Sequence, residues 1–271
     1  MLNQRTLPRI GLGTFRLKDQ DVIDSVTSAL SLGYRHIDTA QFYDNERAVG
    51  EALKQSDVPR DEIFLTTKVW WDQLQPQALL ESFEESCRKL GVEYVDLALV
   101  HWPSPDDEVP MADYIGALNQ VREKGLTREI GVSNFTVAQL DQALSVPGGE
   151  HLITNQVEVH PFLANRTVVV HCQEKGLQVT GYMPLAVGKV MDEPVLKEIA
   201  EAHGVSPAQI ALAWVAARDI VVIPSSTKPE HQKSNLEAMA ITLSADEMAR
   251  IDALDRGERI ANPDFAPEWD A

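Results

Sequence analysis

The sequence contains little cysteine and no long apolar run. Its 271 residues include two cysteines, Cys87 and Cys172, which are too few for the disulfide framework of a small secreted domain. No run of about 18 apolar residues is present, so no transmembrane helix is predicted. The N-terminal segment MLNQRTLPRI lacks the apolar core of a secretory signal. These absences predict a cytoplasmic protein whose thiols stay reduced.

Basic residues are also scarce. The chain has 24 Lys and Arg against 41 Asp and Glu, which gives a formal net charge of -17. A strongly acidic protein repels phosphodiester backbones and anionic lipid, so we expect neither a nucleic-acid partner nor a membrane partner. A small anionic ligand remains compatible with this charge if a local basic patch holds it.

What the sequence does contain is a regular alternation of short β-branched runs with helical patterns. No linker rich in Pro, Ser or Gly interrupts it, so we expect one domain over residues 1–271. Strands are predicted at 34–38, 64–69, 94–101, 129–133, 154–159, 178–183 and 220–224, with a weaker first strand at 11–15. Helices are predicted at 21–32, 46–55, 75–90, 111–124, 137–144, 168–175 and 194–203.

Two parallel-sheet architectures fit this alternation. A doubly wound dinucleotide fold needs a glycine-rich turn after a strand, but the only candidate, Gly11-Leu12-Gly13, has Arg16 where the third glycine belongs. The number of units and the length fit an α/β fold that is a single (β/α)8 TIM barrel. Two extra helices, at 207–218 and 245–255, are expected outside the basic repeat.

Polar residues follow the predicted strands at their C-terminal ends, where such barrels carry their chemistry. They are Asp38, Thr39, Tyr43, Lys68, His101, Trp102, Ser133, Asn134, Gln156, Glu158, His160, Tyr182, Ser225, Ser226 and Lys228.

Four of these side chains suggest a reaction. A buried Lys68 needs a partner, and Asp38 is the natural one. A cation beside Tyr43 favours the phenolate, so we expect the Tyr43 pKa to fall from about 10 toward neutrality. Tyr43 would then exchange a proton with a carbonyl oxygen that His101 orients by a hydrogen bond. The set suits proton transfer coupled to a change at a carbonyl carbon.

Other interpretations of the same residues compete. Asp38 and Lys68 could form a structural ion pair, Tyr43 a rim aromatic and His101 a core histidine. His36 and Asp38 share one strand face, as metal ligands would, but no further ligands complete a site, and we expect no metal. A lyase would use Lys68 as a Schiff-base nucleophile, which must be neutral, whereas Asp38 would keep it charged.

The segments that carry these residues resemble those of aldo-keto reductases, in register from Gly11 to about Asp255. They are GYRHIDTAQFYDNE (33–46), LTTKVW (65–70), DLALVHWP (96–103), EIGVSNF (129–135), NQVEVHP (155–161) and IPSSTKPEHQKSNL (223–236). Within the family, GLGTFRL, HWPSP and the ending APEWD look like the bacterial 2,5-diketo-D-gluconate reductase B group.

The resemblance implies a (β/α)8 barrel that binds NADPH along its rim without a Rossmann domain. Tyr43 would be the general acid, with Lys68 and Asp38 tuning it and His101 orienting the carbonyl. The residues implied in cofactor binding are Thr14, Ser133, Asn134, Gln156, Tyr182, Pro184, Leu185, Ser225, Ser226, Lys228, His231 and Asn235. Many relatives have an arginine at the position of His231, so the preference for NADPH here would rest on a basic patch of Lys228, His231 and Lys233.

The resemblance also implies a substrate pocket walled by Phe15, Trp70, His101 and Trp102, with Trp71, Phe265 and Trp269 as weaker candidates. A short tail at 259–271 predicts an open pocket for small polar aldehydes and ketones, such as ketoaldonates or methylglyoxal. We expect a monomer. The alternative function is an NADPH-binding regulatory barrel with little turnover, which some members of the family are.

Overall fold

The computed structural model describes residues 7–270, and its centre is one sheet of eight parallel strands, each paired with the next in chain order. The strands are β1 (Leu12–Gly13), β2 (His36–Asp38), β3 (Phe64–Val69), β4 (Val95–Val100), β5 (Thr127–Ser133), β6 (Leu152–Glu158), β7 (Gln178–Tyr182) and β8 (Ile220–Val222).

The first and last strands meet and close the sheet. The Gly11 N–H donates to the Val222 carbonyl at 2.8 Å, the Val222 N–H donates to the Arg9 carbonyl at 3.0 Å, and Ile10 forms a parallel bridge with Val222. Gly13 lies so close to the residues that follow β8 that a Cβ on it would be 2.8 Å from the Ile223 carbonyl oxygen. Closure leaves no strand edge unpaired and confirms the predicted (β/α)8 barrel.

Ten helices surround the barrel in the part of the chain from 7 to 270. They are α1 (Asp19–Leu32), α2 (Glu46–Gln55), α3 (Pro76–Leu90), α4 (Met111–Glu123), α5 (Val137–Ser145), α6 (Arg166–Glu174), α7 (Pro194–His203), α8 (Pro207–Ala217), α9 (Pro229–Glu237) and α10 (Ala245–Asp252). None of these helices combines the length and apolarity needed to cross a bilayer.

The helices differ from the prediction in two respects. Helix α9 was not predicted, because its sequence is polar and it buries mainly Gln232 and Asn235, so it has no apolar period to detect. The stretch 207–218, predicted as an extra helix, forms α8, which packs on β8 and buries every residue from 209 to 216. Helix α7 packs instead on α8 and α10, so α7 and α10 are the two extra helices.

Alternation along the strands decides which side chains enter the barrel. Successive strand residues point to opposite faces, so Phe64 and Lys68 share the inner face of β3. Phe64 joins Leu7, Leu97, Leu99 and Val221 in an apolar cluster separate from the main core. Lys68 lies four residues further along β3, at its C-terminal end. The interior is therefore apolar in one layer and polar near the rim.

Candidate active site

Asp38, Lys68 and His101 come together because β2, β3 and β4 are neighbours whose C-terminal ends meet. Asp38 ends β2 and pairs in register with Thr66 of β3. Lys68 pairs with Leu99 of β4, two residues before His101. All three predicted site residues are buried, so the local sequence and the strand order together place them in one layer.

The Lys68 ammonium is the centre of this layer. Its Nζ donates to Asp38 Oδ1 at 2.5 Å, to the Thr39 carbonyl at 2.8 Å and to the Tyr43 hydroxyl at 3.2 Å. The other Asp38 oxygen, Oδ2, accepts from Gln156 Nε2 at 2.8 Å. All three ammonium protons have acceptors, so the buried charge is compensated.

Tyr43 reaches this ammonium from the one-turn 3₁₀ segment Gln41–Tyr43 that follows β2. Its ring lies between two other rings, 5.1 Å from Phe15 and 5.7 Å from His101 between centroids. The Lys18 ammonium donates to the Tyr43 carbonyl at 2.6 Å and so ties the segment to the β1–α1 connection. These contacts hold the phenol at the floor of the cleft.

The protonation states follow from burial and from the neighbouring charges. Although burial alone would lower the pKa of Lys68, Asp38 and Tyr43 raise it above its usual value. A charged lysine is not a Schiff-base nucleophile, which argues against the lyase interpretation. Burial raises the pKa of Tyr43 by more than Lys68 lowers it. The expected fall of the Tyr43 pKa toward neutrality is therefore wrong for the protein without ligand, because a phenolate loses more solvation there than Lys68 returns.

His101 presents a neutral imidazole next to the phenol. Burial first and the Lys68 charge second lower its pKa well below the usual value. Its Nδ1 is buried and finds no hydrogen-bond partner among residues 7–270, and its ring meets the Trp70 ring edge-on at 5.0 Å. A neutral imidazole can donate a hydrogen bond to an acceptor in the cleft without adding a charge.

A second group of polar side chains extends the site along the ends of β5, β6 and β7. Asn134 Nδ2 donates to the His101 carbonyl at 3.0 Å, and Asn134 Oδ1 accepts from the Tyr182 hydroxyl at 2.7 Å. Ser133 Oγ donates to the Gln156 carbonyl at 2.8 Å. Gln156 in turn donates to the Asp38 carboxylate, so these contacts connect the second group of polar side chains to the first.

These side chains face a cleft of about 1100 Å³. The predicted site residues that line it are Phe15, Asp38, Tyr43, Trp70, His101, Trp102, Ser133, Asn134, Gln156, Tyr182, Pro184, Leu185, Ser225, Ser226, His231 and Asn235. Five predicted residues do not line it: Thr14, Lys68, Lys228, Lys233 and Trp269. Lys68 lies beneath the floor, Thr14 is buried and donates its hydroxyl to the Asp38 carbonyl, and Lys228 is an exposed residue preceding α9.

Sequence reasoning missed several lining residues. Arg16 lines the cleft beside Phe15, although the sequence used it only as the residue that breaks a glycine motif. Phe42 stacks on Trp70 at 4.0 Å. No local signal identifies such residues, because only the folded loops bring them to the cleft.

The cleft fits a dinucleotide in its chemistry. Amide and hydroxyl groups lie beside the phenol, and Ser225, Ser226 and His231 line the other part of the cleft where α9 begins. Helix α9 begins at Pro229, which has no N–H, and the His231 N–H donates to the Lys228 carbonyl at 3.0 Å, so the hydroxyl groups of Ser225 and Ser226 and the imidazole of His231 are the groups that would meet phosphate here. Within residues 7–270, no group of three or more His, Cys, Asp or Glu is arranged to hold a metal ion.

Comparison with known proteins agrees with this geometry. The model of the Aldo/keto reductase family matches residues 9–256. Methylglyoxal reductase DkgB of Yersinia pestis is 52% identical over 266 residues, which cover 98% of this chain and all of that protein. Glyoxal reductase of Bacillus subtilis (strain 168) is 38% identical over 95% of this chain and 93% of its own length.

Solved structures extend the likeness to three dimensions. The crystal structure of a candidate 2,5-diketo-D-gluconic acid reductase B superposes with a TM-score of 0.93 at 43% identity, covering 98% of this chain and 94% of that one. An aldo-keto reductase from a Medee basin deep-sea metagenome library superposes with a TM-score of 0.92 at 37% identity, covering 98% and 97%. The predicted resemblance, including the likeness to reductase B, is confirmed.

Proposed function

Because this chain belongs to the aldo/keto reductase family, we propose that it reduces small aldehydes and ketones to alcohols with NADPH, using Tyr43 as the general acid. One observation carries the proposal: the Tyr43 hydroxyl lies 3.2 Å from the fully buried Lys68 ammonium at the floor of the cleft. A phenol that borders a cleft and touches a buried cation is suited to giving up a proton there.

The proposed roles follow from the protonation states. NADPH, when bound, supplies the hydride to the carbonyl carbon. Tyr43 gives its proton to the carbonyl oxygen, and the resulting phenolate faces the Lys68 ammonium, which stabilises it. Asp38 keeps Lys68 charged and in place. His101 donates a hydrogen bond to the same oxygen as a neutral imidazole.

The cofactor would be held along the cleft by groups already arranged for it. Ser133, Asn134 and Gln156 offer hydroxyl and amide groups to the carboxamide end, and the Tyr182 ring offers a stacking face beside them. His231, Lys228 and Lys233 near the start of α9 would meet the far phosphate. Equal kcat/KM values with NADPH and NADH would refute the preference for NADPH, because only NADPH carries the additional phosphate.

The substrate would be a small carbonyl compound such as methylglyoxal or a ketoaldonate. The supporting observations are the names of the relatives and the walls of the cleft, where Phe15, Trp70 and Trp102 stand next to Tyr43 and His101. The other expectations, a single domain, a monomer and a cytoplasmic location, remain predictions.

The deciding experiment is a carbonyl panel with NADPH on the wild type and on Tyr43→Phe. Within residues 7–270 the phenol has one hydrogen bond, from the charged Lys68, so its loss should cost about 1.5–3 kcal/mol of stability. The loss of the acid should lower kcat/KM by about 10²- to 10⁴-fold while NADPH binding, followed by fluorescence, stays intact. Tight NADPH binding without turnover in the wild type would favour the regulatory barrel instead.

A further inference from the structure

We propose that Glu158 is a positioning residue for the substrate, although it is not among the residues that line the cleft. Its carboxylate holds the C-terminal segment 259–270, here called the strap, where the strap forms one wall of the substrate end. The inference rests on the proposed function and adds to it a residue that acts through its neighbours.

Glu158 is the last residue of β6, two residues after Gln156. Residues two apart in a strand point to the same face, so one face of β6 carries both the Gln156 amide that donates to Asp38 and the Glu158 carboxylate. Glu158 is fully buried, which is rare for a carboxylate unless it has partners. Glu158 takes no part in the proposed proton transfer, so its partners indicate what it does.

The partners of the carboxylate include two successive N–H groups of the strap. The Ile260 N–H donates to Oε1 at 2.8 Å, and the Ala261 N–H donates to Oε2 at 2.7 Å. His160 Nε2 also lies 2.8 Å from Oε1. Hydrogen bonds to an ionised acceptor are about twice as strong as those between neutral groups. The two backbone bonds therefore fix the strap at the end of β6.

The strap is attached at its other end as well. The Val137 N–H, at the start of α5, donates to Asp270 Oδ2 at 2.9 Å. The Trp269 indole donates to Asn262 Oδ1 at 2.7 Å, and the Arg259 guanidinium lies 3.8 Å from the Trp269 ring centroid. The strap is therefore a loop whose two ends are tied to β6 and to α5.

Between these ends the strap reaches the cleft. The strap residues that line it are Ala261, Pro263 and Phe265. The Phe265 ring centroid lies 5.6 Å from that of Trp70, and Trp70 meets the ring of His101, the residue proposed to orient the carbonyl, at 5.0 Å. Ala261 is itself one of the two residues that Glu158 holds. A displaced strap would therefore open the cleft beside the bound carbonyl compound.

The groups proposed for the cofactor are held by other contacts. Tyr182 lies opposite Glu158 in the register of β6 and β7, but its hydroxyl donates to Asn134. Ser225, Ser226 and His231 follow β8 and belong to the start of α9, not to the strap. Loss of the Glu158 carboxylate should therefore weaken substrate binding and leave NADPH binding intact.

Hydrogen exchange of the protein without ligand tests the attachment directly. Glu158→Gln keeps the length of the side chain but replaces one acceptor oxygen with an NH₂ group, which cannot accept from the strap. We expect peptides that cover 259–266 to exchange at least about 10-fold faster than in the wild type, because local opening becomes easier. Exchange in β3 should stay unchanged.

Steady-state kinetics with methylglyoxal tests the consequence for the substrate. A methyl group that loses its apolar contacts typically costs 10-fold or more in selectivity, so KM in Glu158→Gln should rise by about 10-fold. Loss of binding that is equal in the ground state and the transition state leaves kcat unchanged. The NADPH dissociation constant, followed by fluorescence, should also stay within about threefold of the wild-type value.

The matched control is Glu247→Gln. The Glu247 carboxylate also accepts a backbone N–H, from Ser244 at 2.7 Å, and also lies 2.8 Å from a histidine Nε2, that of His203. Glu247 lies in α10 and does not line the cleft. This variant should therefore leave KM, kcat and the exchange of the strap at their wild-type values.

A double-variant cycle tests whether Glu158 acts through the strap. Phe265→Ala removes the largest strap side chain in the cleft and should itself raise KM by about 10-fold. If Glu158 acts by holding the strap, Glu158→Gln adds little once Phe265 is absent. The double variant should then show a rise of about 10-fold, not the roughly 100-fold product expected of independent residues.

The outcomes separate this inference from the proposed function. An unchanged KM in Glu158→Gln would overturn the inference, as would weaker NADPH binding, which would place Glu158 at the cofactor. Unchanged exchange of the strap, faster exchange throughout the barrel, or a multiplicative double variant would overturn it too. Each of these results leaves the reductase proposal standing. That proposal fails instead if the wild type does not oxidise NADPH with any carbonyl compound of the panel.

Discussion

Replacing Lys68 with methionine removes a fully buried cation while keeping a side chain of similar length. The Asp38 carboxylate, which now accepts from Lys68 and from Gln156, would keep the Gln156 bond and lose its cation, although the side chain is buried. An unpaired buried carboxylate is strongly unfavourable. We therefore expect Lys68→Met to lower the free energy of unfolding by about 3–5 kcal/mol.

The geometry gives the scale of this effect. At the 2.5 Å separation of Lys68 Nζ and Asp38 Oδ1, the Coulomb attraction is about 6–7 kcal/mol for an effective dielectric constant of about 20. Removing the two ions from water costs several kcal/mol for each ion, and this cost offsets the Coulomb attraction. The pair as a whole is therefore worth little, although loss of one partner is costly, so Asp38→Asn in the Lys68→Met background should restore at least half of the lost stability.

Urea unfolding followed by tryptophan fluorescence measures these changes, and NADPH oxidation with methylglyoxal measures activity. The double variant should be more stable than Lys68→Met and equally inactive, since neither returns a cation to the Tyr43 hydroxyl. A loss of less than about 1 kcal/mol in Lys68→Met, the size seen for exposed pairs, would refute the reasoning. So would a double variant less stable than Lys68→Met.

Further predictions concern the acid and the packing. Because burial raises the pKa of Tyr43, the free enzyme keeps this proton through neutral pH. The value of kcat/KM for reduction should therefore fall only in the alkaline range, and a decline that begins at neutral pH would contradict this. In Gly131→Ala the new Cβ would lie 2.6 Å from Thr154 Cγ2, so this variant should lower the free energy of unfolding, measured in urea, by about 1–3 kcal/mol. Gly116 lies in α4 with open space around it, so Gly116→Ala should leave the free energy of unfolding unchanged or raise it. Ser206→Ala removes the hydroxyl that accepts from the Gln209 N–H in the capping box of α8. This variant should lose about 1 kcal/mol of stability and unfold at a lower temperature; an unchanged unfolding midpoint would show that the cap contributes nothing.

Much of the barrel was predictable because the signals involved are local. Alternating β-branched runs placed β3 at 64–69 without error. Gly33 and Gly91, which end α1 and α3, have the left-handed backbone that is common for glycine at a helix C-terminus. Helix α9 was missed because polar residues, held by hydrogen bonds from Gln232 to the Ser25 and Ser226 carbonyls, replace the apolar stripe that sequence reasoning depends on.

The candidate site also has a part that the sequence predicted and a part that only the folded structure shows. The residue types and their strand-end positions pointed to Asp38, Tyr43, Lys68 and His101 before any contact was known, because neighbouring parallel strands bring their C-terminal ends together. The sequence by itself thus determined the barrel and the family, whereas the roles of the four side chains stay a prediction.

Tertiary structure alone decided the direction of the Tyr43 pKa, because desolvation depends on every group that excludes water from the phenol. It also decided which side chains meet at the opening of the cleft. Phe42, Phe265 and Asp264 are far apart in sequence and lie near one opening only after the loops fold. Electrostatic interactions and the exclusion of water depend on distances in space between residues that are far apart in the sequence, and no local sequence pattern predicts those distances.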